Sequence, residues 1–299
     1  MKLATSTGDF IKYTSNQLDA LTLIREAGFL YADYNFHVDF VRRNGVYSED
    51  YLSYFDSVLR HTEKIGIRLV QAHAPMGEPI GEGNEAFVED TLRCVDAAGA
   101  WGIPNLVIHS GYRAGLSIEE SFIENKKFFL KILKRAEKYN LNILVENFNK
   151  MCFDDTFWID NAKPLYDFVK YVNHPLLHAV WDTGHANLQD MPQHDELKIL
   201  GDEVKALHVQ DNGGEWDQHL MPFMGTMNMD SLMHGLIDIG YNGYFTFEVT
   251  DPFTKAEDKR SYPDDKRLLN PPLALKKAWE KMLFELGKSV LTEYGVYEV

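Results

Sequence analysis

His73, His109, Glu146, Asp182, His208 and Glu248 are the residues whose types and spacing could do chemistry, because each stands at or near the end of a short apolar run. Imidazoles and carboxylates bind divalent cations and move protons. A carboxylate that closes an apolar strand, as Glu146 closes Asn142-Ile143-Leu144-Val145, is hard to explain by packing, since a buried unpaired charge is costly. No lysine or arginine stands at these strand ends, so the positive charge that would balance the carboxylates points to a metal ion. A histidine after a strand, such as His73 or His109 alone, has an ordinary reading as a hydrogen-bonded loop residue. Recurrence of the pattern along the chain is what carries the inference.

The run Ala179 to Leu188 is the centre of that pattern. It reads as a buried strand ending in Asp182, followed by a turn at Gly184 that swings His185 back toward the carboxylate, so the two residues form one corner of a metal site. Trp181 should point to the opposite side of the strand and pack. His37, His61, His174, His178, His194 and His234 fall in helices, in loops or at a strand start, and are read as structural or surface residues.

The elements that must position these groups follow from hydrophobic periodicity. Strands are predicted over Leu3–Thr7, Phe29–Tyr34, Ile67–His73, Asn105–His109, Asn142–Glu146, Ala179–Asp182, Val204–Val209 and Tyr244–Val249. Helices are predicted after a Ser15 cap, over Tyr51–Ile65 with Leu52, Phe55, Val58 and Leu59 on one face, and over Ala86–Trp101. Further helices follow a Ser117/Glu120 capping box and span Pro164–Tyr171, Glu196–Leu200, Met229–Ile239 and Leu273–Leu291. Strand and helix alternate at a repeat of roughly 35 residues, which predicts an α/β fold, a (β/α)8 TIM barrel forming one domain over residues 1–299. The stretch at about 251–272, rich in charge and proline, is expected to be a long loop that could serve as a lid. In such a barrel the strand ends converge at one rim, so Glu146, Asp182, His208 and Glu248 become neighbours. Three carboxylates and one imidazole suit one divalent metal ion: Mn²⁺, Mg²⁺, Co²⁺ or Zn²⁺.

Composition narrows the function classes. A net charge of −15 over 299 residues gives no overall attraction to nucleic acid or anionic membrane, so no nucleic acid partner is expected. Cys94 and Cys152 are the only cysteines and make no CxxC pattern, which excludes a thiolate zinc site and fits a reducing compartment. The N-terminus lacks the apolar region of a signal peptide, and no run reaches the ~20 apolar residues of a membrane span. A cytoplasmic protein without a membrane partner is the expectation, with a homo-oligomer left open.

Taken in order, several motifs resemble the xylose-isomerase-like barrel superfamily: His73-Ala74-Pro75, Ile108-His109-Ser110-Gly111, Val145-Glu146-Asn147, Asp182-Thr183-Gly184-His185, His208 with Asp211-Asn212, Asp217-Gln218-His219-Leu220-Met221-Pro222 and Phe247-Glu248. That superfamily holds sugar (phosphate) isomerases and epimerases and the AP endonucleases of the endonuclease IV type. Resemblance to the ketose 3-epimerase branch implies one divalent metal on Glu146, Asp182, His208 and Glu248, with the two glutamates as the acid/base pair. His185 would contact substrate hydroxyls, and His73, His109, Asp217 and His219 would also face the substrate. The implied activity is isomerisation or epimerisation of a sugar or sugar-like polyol or keto acid through a metal-stabilised enediolate.

The chain departs from that branch at three points. His219 replaces an arginine, Cys152 a second glutamate and Phe223 a glycine, changes that bear on the substrate and leave the metal ligands intact. Resemblance to the endonuclease branch implies instead a trinuclear zinc phosphodiesterase for abasic DNA, with His73, His109, Glu146, Asp182, His185, His208, Asp217, His219 and Glu248 as its nine ligands. The rim segments 74–82, 148–155 and 211–221 hold Lys150 as their one base, too few for phosphate contacts along DNA. A small sugar substrate is therefore the favoured partner. A third reading is a non-catalytic sugar-binding barrel with the same metal shell.

Overall fold

Short continuous apolar runs suit parallel strands buried on both faces, and parallel neighbours need crossover connections, usually helices. The computed structural model describes residues 1–149, 157–189, 191–250 and 271–299. Its strands are β1 (Lys2–Ser6), β2 (Tyr31–Asn35), β3 (Arg68–His73), β4 (Asn105–Ile108), β5 (Asn142–Glu146), β6 (Leu177–Asp182), β7 (Val204–His208) and β8 (Tyr244–Phe247). Each pairs in parallel with its sequence neighbour from β1 to β7, and β8 returns to β1. A parallel bridge between Val209 and Phe247 closes the ring, with the Val209 N–H donating to Thr246 O at 2.8 Å. The (β/α)8 TIM barrel expected from the sequence is the fold.

Helices connect the strands, most of them covering the outside while α2 and α7 stand at the rim: α1 (Gln17–Ala27), α2 (Phe36–Arg42), α3 (Tyr51–Ile65), α4 (Glu85–Ala100), α5 (Ile118–Ala136), α6 (Ala162–Val172), α7 (Thr183–Asn187), α8 (Gln193–Leu200), α9 (Met229–Asp238) and α10 (Leu273–Glu293). The main core fills the shell between strands and helices, with Trp181, Phe129, Phe168 and Phe247 fully buried. Burial of each such side chain contributes on the order of 2 kcal/mol. A second, small cluster of Val107, Leu144, Val180 and Ala206 lies apart from that shell. These residues stand two positions before His109, Glu146, Asp182 and His208 on neighbouring strands. Side chains alternate faces along a strand, so they form the layer of the barrel interior directly beneath the strand-end residues.

Several local expectations need correction. The cap of α1 is Asn16, whose side chain accepts the Asp19 N–H, and not Ser15. On α3, Phe55, Val58 and Thr62 are buried, whereas Leu52 and Leu59 are 63% and 41% exposed. Those leucines sit roughly a quarter turn around the helix from the buried stripe, which the leucine spacing alone does not reveal. Strand β2 starts at Tyr31 rather than Phe29 and runs straight into α2, a helix the periodicity did not show; Asn35 caps it by accepting the His37 N–H. The Ser117/Glu120 capping box is present in full. The long loop expected at about 251–272, apart from Pro271 and Pro272, lies outside the described residues, as do Lys150 and Cys152.

Helix α2 carries a buried carboxylate with a measurable consequence. Asp39 is buried and accepts hydrogen bonds from Tyr34 Oη (2.8 Å) and the Val46 N–H (3.5 Å). Burial raises its pKa to about 7, against an ordinary value of 3.8. The folded chain thus holds a proton that the unfolded chain loses near pH 4, and stability falls as pH rises from about 4 to about 7. Asp39→Asn keeps the acceptor for Tyr34 and is expected to flatten that slope, gaining a few kcal/mol over the native chain at pH 8. Urea unfolding at pH 5 and pH 8 checks it; an unchanged slope in the variant would discount Asp39.

Candidate metal centre

Glu146 is the hub of the rim. Its Oε2 lies 2.8 Å from His109 Nε2 and 3.4 Å from His73 Nε2, while Oε1 lies 2.7 Å from His208 Nδ1. Burial alone would raise its pKa, but the imidazoles of His208 and His109 outweigh that and hold it well below the usual carboxylate range. Glu248 stands one residue beyond β8, and among the described residues its carboxylate makes long contacts, 3.5 Å to His219 Nδ1 and 3.8 Å to His208 Nδ1.

Asp182 ends β6 and caps the single turn α7, its Oδ1 accepting the His185 N–H at 2.6 Å and Gln210 Nε2 at 3.2 Å. The glycine turn foreseen after Asp182 is this helical turn, and it does bring His185 back, with Nδ1 3.6 Å from Asp182 Oδ1. Asn147 locks the neighbouring strand ends together: its Oδ1 accepts the Asp182 N–H (2.8 Å) and its Nδ2 donates to Asp182 O (2.9 Å). Burial raises the Asp182 pKa to about 6. Burial opposes protonation of His185, but Asp182 and Asp217 outweigh it and raise its pKa to about 10.

Three of the imidazoles are oriented in the same way. His73 Nδ1 lies 2.6 Å from Ala74 O, His185 Nδ1 2.9 Å from Asn147 O, and His219 Nδ1 3.0 Å from Glu248 O. A carbonyl can only accept, so Nδ1 carries the hydrogen in each and Nε2 is turned toward the carboxylates. Backbone carbonyls orient metal-ligating histidines in this fashion. His185 Nε2 and His219 Nε2 flank the Asp217 carboxylate at 3.2 and 3.4 Å.

A metal fits these residues on two observations. Donor atoms of Glu146, Asp182, His208 and Glu248 all lie within 4.8 Å of one another, as do those of His185, Asp217 and His219 and those of His73, Glu146 and His208. The second observation is that Asp182 Oδ2 is buried and without a hydrogen-bond partner, although buried carboxylate oxygens are rarely left so. The cluster opens on a cavity of about 200 Å³ bordered by His73, His109, His185 and Glu248. Among the described residues lining that cavity, none is lysine or arginine.

All nine residues singled out in the sequence therefore meet at one rim. Others were missed. His37, read as structural, borders the cavity and accepts the Met76 N–H at 3.4 Å. Asn35 and Thr250 also border it, and Asn147 and Gln210 orient ligands. Only Asp33 offered a sequence signal, a carboxylate in an apolar strand, and it is fully buried beside His208.

The loop after β7 holds Asp217 and His219 in place through Asp211. That carboxylate accepts the N–H groups of Asn212 (2.8 Å), Gly225 (3.0 Å) and Met227 (3.0 Å). His219 and Phe223 in this loop have φ of +50° and +72°, the left-handed region that costs a side chain most. Asp211→Ala is expected to lower unfolding free energy by roughly 3 kcal/mol, since several charged hydrogen bonds vanish together. Denaturant titration checks it, and a loss within error of zero would mean that the loop stands without this residue.

An eight-stranded parallel barrel with imidazoles and carboxylates gathered at the C-terminal strand ends defines a TIM barrel with a site suited to a divalent metal. The chain belongs to the xylose isomerase-like TIM barrel family, whose pattern matches residues 21–270. An uncharacterized protein of Methanocaldococcus jannaschii is 26% identical over 222 residues, covering 71% of this chain and 75% of that one. Fructoselysine 3-epimerase of Escherichia coli O157:H7 is 28% identical over 119 residues, covering 40% of this chain and 42% of the enzyme. Among solved structures, D-psicose 3-epimerase of Clostridium cellulolyticum H10 with D-tagatose superposes with a TM-score of 0.74 at 16% identity, covering 97% of this chain and 99% of that one. At that identity the likeness establishes the shared fold. Among the described residues, no helix is long and apolar enough to cross a membrane.

Proposed function

We propose that this protein is a divalent-metal-dependent isomerase or epimerase acting on an unphosphorylated sugar or a related polyol or keto acid. The observation that carries the reading is the four-residue donor set, Glu146, Asp182, His208 and Glu248, within 4.8 Å of one another, two of which, Glu146 and Glu248, line a cavity of about 200 Å³. That volume is on the scale of a monosaccharide, below the ~300–1,000 Å³ of sites for drug-sized ligands. The distant likeness to sugar 3-epimerases supports the same class.

Bound on those four residues, a divalent ion would polarise the substrate carbonyl and its neighbouring hydroxyl, acidify the adjacent C–H and steady the enediolate. The Glu248 carboxylate has no short hydrogen bond among its described contacts and is the one free to take that proton. Glu146, tied to three imidazoles, returns a proton from the other side, with His109 and His73 able to resupply it. His185 and His219, held by carbonyl acceptors and by Asp217, orient hydroxyls along one wall. The dearth of lysine and arginine in the described lining supports a neutral sugar over a phosphate ester.

Incubation with candidate ketoses in D₂O tests this reading: deuterium should enter the carbon next to the carbonyl. A barrel that only binds sugar leaves that hydrogen unexchanged, and this result would remove the enzyme reading. A second reading, a trinuclear zinc phosphodiesterase, is favoured by the separate donor group of His185, Asp217 and His219. One metal per chain supports the isomerase; three tightly held zinc ions with cleavage of abasic DNA would replace it.

A further inference from the structure

The interior layer beneath the rim is apolar on one side and polar on the other. Val107, Leu144, Val180 and Ala206 make the apolar half on β4 to β7. Asp33 of β2, Gln71 of β3 and Thr246 of β8 are polar and buried, Gln71 and Thr246 standing two residues before His73 and Glu248. TIM barrel interiors are filled chiefly by branched apolar side chains, so a polar half-layer calls for a physical reason.

One chain of hydrogen bonds in this half-layer leads to Asp33, beside weaker contacts of Gln71 Nε2 with Leu207 O (3.4 Å) and of Thr246 Oγ1 with Tyr244 O (3.5 Å). Thr246 Oγ1 donates to Gln71 Oε1 (3.4 Å), Gln71 Nε2 donates to Asp33 Oδ2 (2.8 Å), and that same oxygen faces His208 Nε2 at 3.4 Å. His208 differs in orientation from His73, His185 and His219, which give Nδ1–H to backbone carbonyls. It turns Nδ1 toward Glu146 at 2.7 Å and points Nε2 away from the rim, at a carboxylate. Both ends of that last approach are incomplete: His208 Nε2 and Asp33 Oδ1 are buried with no hydrogen-bond partner. An imidazole that offers its Nδ1 lone pair to a cation must carry its hydrogen on Nε2. Here Asp33 is the carboxylate placed to accept it.

We infer that Asp33 is the positioning residue of His208: its carboxylate, set by Gln71 and Thr246, fixes the ring so that Nδ1 faces the cation, and it strengthens that nitrogen as a ligand. This rests on the metal-centre reading above. A carboxylate behind a ligating histidine orients the ring and raises its basicity, and its loss weakens metal binding by roughly 10- to 100-fold. The alternative is that Asp33 is only a hydrogen-bonded filler of the barrel interior.

Asp33→Asn keeps the shape of the side chain, and Asp33→Ala removes it. The expected result is that both variants bind Mn²⁺ or Co²⁺ more weakly by roughly 10- to 100-fold in competition with a chromogenic chelator. The Co²⁺ absorption spectrum should shift, while the thermal midpoint of the metal-free protein stays level or rises. Native affinity and spectrum in Asp33→Asn would overturn the inference. So would a lower metal-free midpoint with unchanged affinity, which is the signature of a filler. If the native chain binds neither ion, the metal-centre reading fails and this inference with it, whereas tight native binding shared by both variants removes Asp33 alone.

Discussion

On the proposed function, Glu248→Gln should fold like the native chain and lose turnover by roughly 10²–10⁴-fold, the usual contribution of a general base, which is the role proposed for this carboxylate. It also weakens one position of the donor set. Glu248 sits where the barrel closes, its N–H donating to Val209 O (3.1 Å) and its carbonyl facing His219 Nδ1, and the amide variant keeps both backbone contacts. Among the described residues its Oε2 has the 3.5 and 3.8 Å imidazole contacts to lose, so little stability is at stake. The measurement is deuterium wash-in at saturating metal, which separates proton transfer from product release. Native exchange in Glu248→Gln would take this residue out of the chemistry.

Removing the metal should have the second large effect. Stripping the protein with chelator is expected to abolish exchange and to lower the thermal midpoint. A ligand present at 100 times its Kd stabilises the folded state by about 2.7 kcal/mol. For a chain of this size that is about 4 °C. The cause is electrostatic: Glu146, Asp182 and Glu248 are buried within reach of one another and repel once the cation has gone. Added Mn²⁺ or Co²⁺ should restore both readouts. Identical melting curves with and without chelator would count against any metal on these residues.

Barrel class and rim composition were legible in the sequence because both depend on local patterns. Strand β5, from Asn142 to Glu146, matches its apolar run residue for residue, and the Ser117/Glu120 box starts α5 as expected. Less local features were hidden. Asn16 rather than Ser15 caps α1 because the choice between adjacent capping residues depends on where the chain enters the barrel. Asp33 was hidden because it stands inside the expected strand Phe29–Tyr34, whereas the pattern that marks this site is one of groups at strand ends. His37 was passed over because α2 was not visible, and without that helix nothing brings its ring to the cavity. Asn147 and Gln210 act across strands, which spacing along one strand cannot reveal.

The pairing of the Asn147 side chain with both backbone groups of Asp182 divides the rim into two mechanical classes. On one side Glu146, Asp182 and His185 are referenced to two adjacent strands, so their mutual spacing changes only if the barrel itself does. On the other, Asp217 and His219 ride on a loop pinned at Asp211 and bent through two left-handed residues, and their spacing answers to the loop's length and composition. Mutation can thus rewrite the second half while the first keeps its geometry. Residues 212–226 can therefore change in a lineage built on this barrel while the half that carries Glu146 and Asp182 is inherited unchanged.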